Sequence, residues 1–143
     1  MPLVGGGGSP NVAGAGGNPS GVGNTLNYIG DHAYAYSGGI DVDNNATSLL
    51  KFTTGGLYVK GRFQPQYFVA NAGEATEDYR FAVKFDNQEV SVTLIAEGTD
   101  RDAFYSKVNL IIPPFTTVEV TAQNVSDSTT RSVGAIITGR VYQ

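Results

Sequence analysis

Apolar residues recur at every second position in three stretches of the chain. They are Val108, Leu110 and Ile112, then Val118, Val120 and Ala122, then Val133, Ala135, Ile137 and Val141. A period of two is that of half-buried β-strands, because successive side chains point to opposite faces of a sheet. Pro113 and Pro114 separate the first two stretches, and proline cannot donate a ladder hydrogen bond. We therefore predict three consecutive strands between Tyr105 and Tyr142, with a corner at the two prolines.

Weaker alternation precedes these strands. Residues 25–37 carry tyrosines at alternating positions and predict a first strand. Residues 39–43 and 46–53 flank the pair Asn44-Asn45, and asparagine tolerates a positive φ. We therefore expect a tight hairpin at this pair.

A long strand and a further hairpin are predicted in the middle of the chain. Residues 57–70 alternate but contain Pro65, which indicates a sheet edge or a bulge. Residues 79–85 and 90–96 alternate on either side of Asp86-Asn87, as expected for an antiparallel hairpin with one wet face. On the second strand of that hairpin, the predicted buried residues are Val90, Val92, Leu94 and Ala96.

Eight or nine strands at spacings of about ten residues, without a helical period, are typical of an all-β sandwich or barrel. We predict a single jelly-roll-like antiparallel β-sandwich over residues 25–143, because eight strands is the number in a jelly roll. An immunoglobulin-like topology is the alternative, and strand spacing does not separate the two. At 143 residues, one domain can bury roughly two thirds of its surface.

Residues 1–24 differ in composition from the rest. They are rich in glycine and carry no charged side chain, so they cannot form a core of their own. Fully extended, they could reach on the order of 80 Å. We predict an extended Gly-rich N-terminal arm that contacts neighbouring subunits. Its apolar anchors would be Leu3, Val4, Val12 and Val22.

Composition limits the classes of partner. The chain has no cysteine, and 13 acidic against 9 basic residues give a net charge of -4. We find no run of lysine and arginine of the kind that binds a phosphate backbone. The first 30 residues show neither a secretory signal nor a membrane span. We therefore expect a soluble protein with neither nucleic acid nor a membrane among its partners.

Catalytic side chains are scarce. His32 is the only histidine, and we interpret it as a hydrogen-bonded structural residue near a sheet edge. The carboxylates that a glycoside hydrolase would need lie in polar loops, which favour solvation. They are Glu74, Glu77 and Asp78, and Asp100 with Asp102. We therefore predict that the chain is not an enzyme and uses no cofactor.

One stretch is a weak candidate for a calcium site. Asp41, Asp43 and Asn44 place hard oxygen ligands close together, as calcium prefers, but the spaced loop with a central glycine and a terminal glutamate is missing. Turn chemistry explains the same residues without an ion, and we predict no metal.

Tyrosines near strand ends are the remaining candidates for contacts. Tyr58, Tyr67, Tyr105 and Tyr142 lie at strand ends or on the polar phase, and the chain has no tryptophan. Amphipathic rings in such places serve subunit contacts or stacking on sugars. Sugar-binding modules usually use tryptophan too, so we favour assembly contacts, with Tyr58 and Tyr142 foremost.

Three segments carry a resemblance to a known group of proteins. They are residues 110–121 (LIIPPFTTVEVT), residues 138–142 (TGRVY) and residues 27–38 (NYIGDHAYAYSG). Together they resemble small β-rich, jelly-roll-like virion proteins of tailed bacteriophages. The resemblance implies a structural protein of the virion, assembled in the host cytoplasm, and it carries over no catalytic residue.

Within that group we expect a capsid decoration or cement protein. It would form a homotrimer and bind other virion proteins, such as the major capsid protein, through its arm. A tail-associated or fibre-like module is the alternative, in which the loops at 71–77, 97–103 and 126–130 bind a host glycan.

Overall fold

The computed structural model of the chain describes residues 26–68, 75–98 and 107–143. The predicted arm and its four anchors lie outside these residues. Glu74, Asp100, Asp102 and Tyr105 lie outside them as well. Within the described ranges, no helix is long and apolar enough to cross a membrane.

Ten strands form the described part of the chain. They are β1 Asn27–Ile29, β2 His32–Tyr36, β3 Ile40–Val42, β4 Thr47–Thr53, β5 Tyr58–Phe68, β6 Tyr79–Phe85, β7 Gln88–Ile95, β8 Val108–Ile112, β9 Thr117–Asn124 and β10 Arg131–Tyr142. All of the strand pairs are antiparallel.

The strands form a sandwich of two sheets with the topology of a jelly roll. One sheet has the order β4-β9-β6-β7, and the other has the order β1-β2-β10-β5-β8, with β3 also paired to β10. The orders β2-β10-β5-β8 and β4-β9-β6-β7 are those of eight strands wound into two Greek keys. An immunoglobulin-like sandwich would pair its first, second, fifth and fourth strands in one sheet. The predicted jelly roll is therefore confirmed over its alternative.

The core lies between the two sheets and follows the predicted alternation in β8, β9 and β10. The predicted apolar residues at most 8% exposed are Leu110, Ile112, Val118, Val120, Ala122, Val133, Ala135 and Ile137. Val108 and Val141 pack partly buried against them. From β6, Tyr79, Phe81 and Val83 complete this layer with no exposed surface.

The predicted corner between β8 and β9 is fixed by the loop that links β4 to β5. Thr54 donates its backbone N–H to the Thr116 carbonyl at 2.9 Å, and its hydroxyl to the Pro113 carbonyl at 2.8 Å. Phe115, at φ 55°, donates its N–H to the Gly55 carbonyl at 2.9 Å. Because the prolines offer no donors, these bonds from the neighbouring loop hold the turn.

The single first strand predicted over residues 25–37 is wrong. It is a hairpin of β1 and β2 that turns at Gly30, whose φ is 60°. Ala35 is buried opposite Ile137 of β10, and Tyr36 is left 42% exposed. The buried phase of β10 therefore decides which face of β2 points inward.

The predicted hairpin at Asn44-Asn45 is also wrong. β3 pairs with β10 and β4 pairs with β9, so the chain crosses from one sheet to the other at this point. The Asp43 carboxylate accepts the Asn45 backbone N–H at 2.8 Å, which makes a side-chain turn instead of a hairpin turn.

Pro65 lies where β5 pairs with β10 alone among the described strands. β5 runs unbroken from Tyr58 to Phe68, and Pro65 lies opposite Ala135 of β10. In the described part of the chain, β8 pairs with β5 only from Val59 to Phe63. The proline therefore occupies an edge position of the kind predicted, where no ladder donor is missed.

β7 exposes the side chains that we predicted to be buried and turns the other set towards the core. The turn at Asp86 and Asn87, both with positive φ, begins the predicted hairpin with β6. After Lys84 pairs with Glu89, the register shifts, and Val83 lies opposite Ser91, leaving Val90 as an extra residue. One extra residue exchanges the two faces of a strand.

Candidate interaction surfaces

A groove lined by basic residues lies on the outer face of the larger sheet. Its volume is about 670 Å³. Its lining includes the side chains of Lys60, Arg62, Asn109, Thr138, Arg140 and Tyr142 and the backbones of Gly61 and Gly139. We call it the basic groove.

Strand register brings the cations of the basic groove together. Lys60 of β5 lies directly opposite Arg140 of β10, and Arg62 follows two residues along β5. Arg140 pairs with Asp31 at 3.1 Å. Within the described ranges, no carboxylate lies in ion-pair distance of Lys60 or Arg62. Three of the chain's nine basic residues therefore meet here, two of them without an acidic partner in this part of the chain.

The sequence analysis missed this cluster, because Arg140 is distant in sequence from Lys60 and Arg62. The spacing of Lys60 and Arg62 was a usable signal, since residues i and i+2 of a strand share a face.

Two glycines bring the backbones of β5 and β10 close beneath the groove. Gly61 and Gly139 lie opposite each other. A Cβ added at Gly139 would lie 2.5 Å from the Gly61 Cα and 2.5 Å from the Lys60 carbonyl oxygen. No side chain fits there without moving backbone.

Tyr58 and Tyr142, both predicted as contact residues, form a stacked pair beside the basic groove. They lie opposite each other on β5 and β10, with ring centroids 5.3 Å apart and planes at 22°. Tyr142 is 38% exposed, so part of the pair is open to a partner. Tyr67, predicted with them, is instead buried at 3% exposure.

An apolar stripe lies on the outer face of the smaller sheet, along its edge strand β7. Val90, Val92 and Leu94 are 48%, 50% and 51% exposed, in contrast to their predicted burial. Thr93 and Ile95 point into the core in their place. Among the described strands, only β6 pairs with β7. Exposed aliphatic side chains on an open sheet edge are typical of an interface.

Glu77 is itself buried, at 5% exposure, and its carboxylate is bound by polar side chains instead of lying in the solvated loop that we predicted. Its Oε1 atom accepts hydrogen bonds from Thr76 Oγ1 at 2.7 Å, Arg131 Nε at 2.8 Å and Tyr67 Oη at 2.9 Å. Arg131 Nη2 donates to the second oxygen at 3.1 Å. We call these four residues the Glu77 cluster.

The electrostatics of the Glu77 cluster do not suit acid catalysis. Burial raises the pKa of Glu77, but hydrogen bonds from Arg131, Thr76 and Tyr67 lower it further than burial raises it, so the pKa lies below its usual range. A glycoside hydrolase needs a general acid with a raised pKa. The neighbouring Asp78 carboxylate accepts the Glu97 backbone N–H at 2.6 Å, a structural role.

The calcium candidates are used in turn chemistry. Asp43 binds the backbone and side chain of Asn45, and the Asn44 carbonyl accepts a hydrogen bond from Gln123 at 2.9 Å. Asp41 is exposed on β3. Among the residues that the structure describes, no three histidine, cysteine or acidic residues are placed to bind a metal ion.

His32 lies on β2, opposite Arg140, with its Nε2 atom 3.6 Å from a carboxylate oxygen of Asp31. Both side chains are about 60% exposed (61% and 59%). The position beside the edge strand β1 agrees with the predicted location, but the predicted hydrogen bond is not formed with any described residue, because 3.6 Å is too long for one.

Comparison with known proteins does not assign the chain to a family. No protein-family model matches it, and no curated protein sequence matches it. Among solved structures, one similar chain belongs to the "Structure of infectious bursal disease virus Gx strain". The two share 12% sequence identity and a TM-score of 0.39 over 76% of this chain and 32% of that chain. This chain therefore spans about a third of the viral chain's length, and so distant a likeness does not define a function.

Proposed function

We propose that this chain is a structural protein of a virion and acts as a capsid decoration or cement protein. The observation that carries the proposal is the apolar stripe on β7. Its three side chains are about half exposed, on a strand that has no second neighbour among the described strands. They would gain stability by contact with another protein subunit. A surface of this kind supports assembly and provides no reaction chemistry.

Two further features agree with an assembly role. Jelly rolls serve as capsid and lectin domains, although a fold alone does not fix a function. The resemblance of residues 27–38, 110–121 and 138–142 to phage virion proteins supports a place in the virion, on either the head or the tail. The role that we propose involves no enzymatic activity.

The proposed mechanism is the addition of many modest contacts. Three copies associate through their sandwich domains, and residues 1–24 of each copy extend over neighbouring shell subunits, including the major capsid protein. Each copy buries apolar and backbone surface at a joint between subunits, and simultaneous attachment at several sites multiplies affinity.

Deletion of residues 1–24 tests the arm. The truncated chain is expected to keep a cooperative unfolding transition but to lose co-sedimentation with undecorated heads. Retained co-sedimentation would rule out attachment through the arm.

A double substitution, Val92→Asp with Leu94→Asp, tests the apolar stripe. Both side chains point outward, so the domain should fold, and light scattering should show a monomer in place of the trimer. Val125→Asp is the matched control, because Val125 is 48% exposed at the end of β9 and is not part of β7. If the double variant and the control had equal masses, the apolar stripe would not be part of the subunit interface.

The basic groove favours the alternative, a tail-associated or fibre-like module that binds a host glycan. The groove offers cations, neutral hydrogen-bonding groups and an exposed ring on one surface. Loss of head binding on arm deletion would argue against this alternative as the main role.

A further inference from the structure

The two cations on β5 carry an inference of their own. Lys60 and Arg62 have no carboxylate partner in the described part of the chain, and they border an open groove. We propose that the basic groove binds an acidic sugar, a pyranose that bears a carboxylate, within an oligosaccharide. The inference does not depend on the proposed assembly role.

The arrangement of charge argues for a ligand. Lys60 and Arg140 are directly opposite on neighbouring strands, and like charges in that relation destabilise a sheet. Asp31 offsets Arg140 at 3.1 Å, but nothing in the described part of the chain does the same for Lys60 or Arg62. An arrangement that works against folding is explained if an anion binds there.

The neighbours of Arg62 favour a sugar over a simple anion. Thr138, Arg62 and Asn109 lie in one row across β10, β5 and β8, so a guanidinium lies between a hydroxyl and an amide. A guanidinium binds a carboxylate through two parallel hydrogen bonds. The hydroxyl and the amide each both donate and accept, as ring hydroxyls require.

The rim of the groove also fits a sugar. Tyr142 lines the groove and is 38% exposed, so its ring can pack against the C–H face of a pyranose. Ile111, 62% exposed, borders the same groove and offers a further apolar contact.

The overall charge makes a highly charged polymer a poor occupant. With a net charge of -4, the protein repels long polyanions such as nucleic acid at a distance. A sugar with one carboxylate feels mainly the three nearby cations. An acidic protein segment would use the cations but not the row of neutral groups.

A titration with methyl β-D-glucuronide, followed by NMR of the full chain, tests the proposal. N-acetylneuraminic acid is the second probe, because its carboxylate is attached differently. We expect saturable shifts at the groove residues with a dissociation constant on the order of 1 mM for at least one probe. Methyl β-D-glucoside, which lacks the carboxylate, should bind about tenfold more weakly or not at all.

Matched variants assign the effect to the groove. Arg62→Gln should weaken binding of the acidic sugar about tenfold or more, and Lys60→Gln should weaken it less. Lys51→Gln is the control, because Lys51 is an exposed lysine on β4 of the other sheet, and it should bind like the parent. The spectrum of each free variant verifies its fold.

Several results would overturn the inference. They are the absence of groove shifts with both acidic sugars, equal binding of the glucoside, equal loss in Lys51→Gln, equal binding of inorganic sulfate, or tighter binding of a Glu-rich peptide. Light scattering of Arg62→Gln separates this inference from the assembly role. Loss of the trimer in that variant would make the groove a subunit contact and not a sugar site.

Discussion

The Glu77 cluster and the basic groove use charged residues in contrasting ways. In the Glu77 cluster, a carboxylate 5% exposed accepts hydrogen bonds from three neighbouring residues, one of which is a cation. In the basic groove, three cations meet on a surface, and the only carboxylate paired with any of them, among the described residues, is Asp31. Both sites belong to the same jelly roll. Acidic and basic groups are matched in the Glu77 cluster, whereas cations are in excess in the basic groove.

The difference separates charges that hold the fold from charges that are available to a partner. A buried charge persists only when it is paired and hydrogen-bonded, and the Glu77 cluster satisfies that condition. The cations of the basic groove are exposed, so that condition does not apply to them. Their like charges instead lie together on neighbouring strands, at some cost to stability. Four variants test this contrast, in order of decreasing expected effect.

Glu77→Ala should destabilise the fold by about 2–3 kcal/mol, because Tyr67 loses a buried partner and Arg131 loses its ion pair. Urea unfolding at neutral pH measures the change. Glu89→Ala is the control, since it removes an exposed pair with Arg80, and its effect should be much smaller. Equal losses would contradict the structural role of the Glu77 cluster.

Gly139→Ala should cost about 1–3 kcal/mol, because the new Cβ would meet the Gly61 Cα and the Lys60 carbonyl. Gly55→Ala has no atom within 4 Å of its Cβ and should leave stability unchanged within error. Thermal unfolding of the pair checks the close approach of β5 and β10. If Gly139→Ala proved neutral, the two strands would be further apart beneath the basic groove.

Acid should reduce the contribution of Glu77. The pKa of Glu77 is lowered in the folded state, below its ordinary value of 4.5, so near pH 4 the unfolded chain binds more protons. Its contribution is therefore complete above the unfolded value and is lost as the pH falls through the folded value. As the pH falls below about 5, the stability of the parent should fall more steeply than that of Glu77→Gln. Equal slopes of stability against pH for the parent and Glu77→Gln would show that the ionised Glu77 carboxylate does not stabilise the fold.

Lys60→Gln should stabilise the fold slightly, by about 0.3 kcal/mol, because it removes the repulsion between Lys60 and Arg140. The gain should shrink in concentrated salt, where repulsion in the parent is screened. Urea unfolding at two salt concentrations measures it, with Lys51→Gln as the control. A loss of stability in Lys60→Gln would mean that the lysine has a favourable role in the fold.

Local patterns predicted those parts of the fold that local chemistry decides. The alternation in β8, β9 and β10 identified the buried face of each strand, because both the period and the turn residues are read along the chain. The corner at Pro113 and the edge position of Pro65 followed from the missing N–H of proline. Tyr58 and Tyr142 were predicted as contact residues from their places near strand ends, but the stacking of their rings was not predicted.

The features that the sequence analysis missed depend on contacts between segments that are distant in sequence. The Asn44-Asn45 segment has the residues of a hairpin turn, but its flanking strands pair with β10 and β9, which come much later in the chain. The basic groove depends on the register that aligns Arg140 with Lys60. Glu77 was placed in solvent because its partner Arg131 is distant in sequence. Each of these features depends on a contact between distant segments and has no local signature.

The bulge at Val90 has a consequence for how the surface of this protein can evolve. Both faces of β7 carry aliphatic side chains, since Ile95 is buried while Val92 and Leu94 are exposed. A register without the extra residue would place Val90 opposite Val83 and exchange those two sets. Gain or loss of one codon near the hairpin can therefore replace the side chains that β7 exposes on its outer face while the strand order is kept. Insertion and deletion, and not only substitution, are then a route to new partners for this sheet edge.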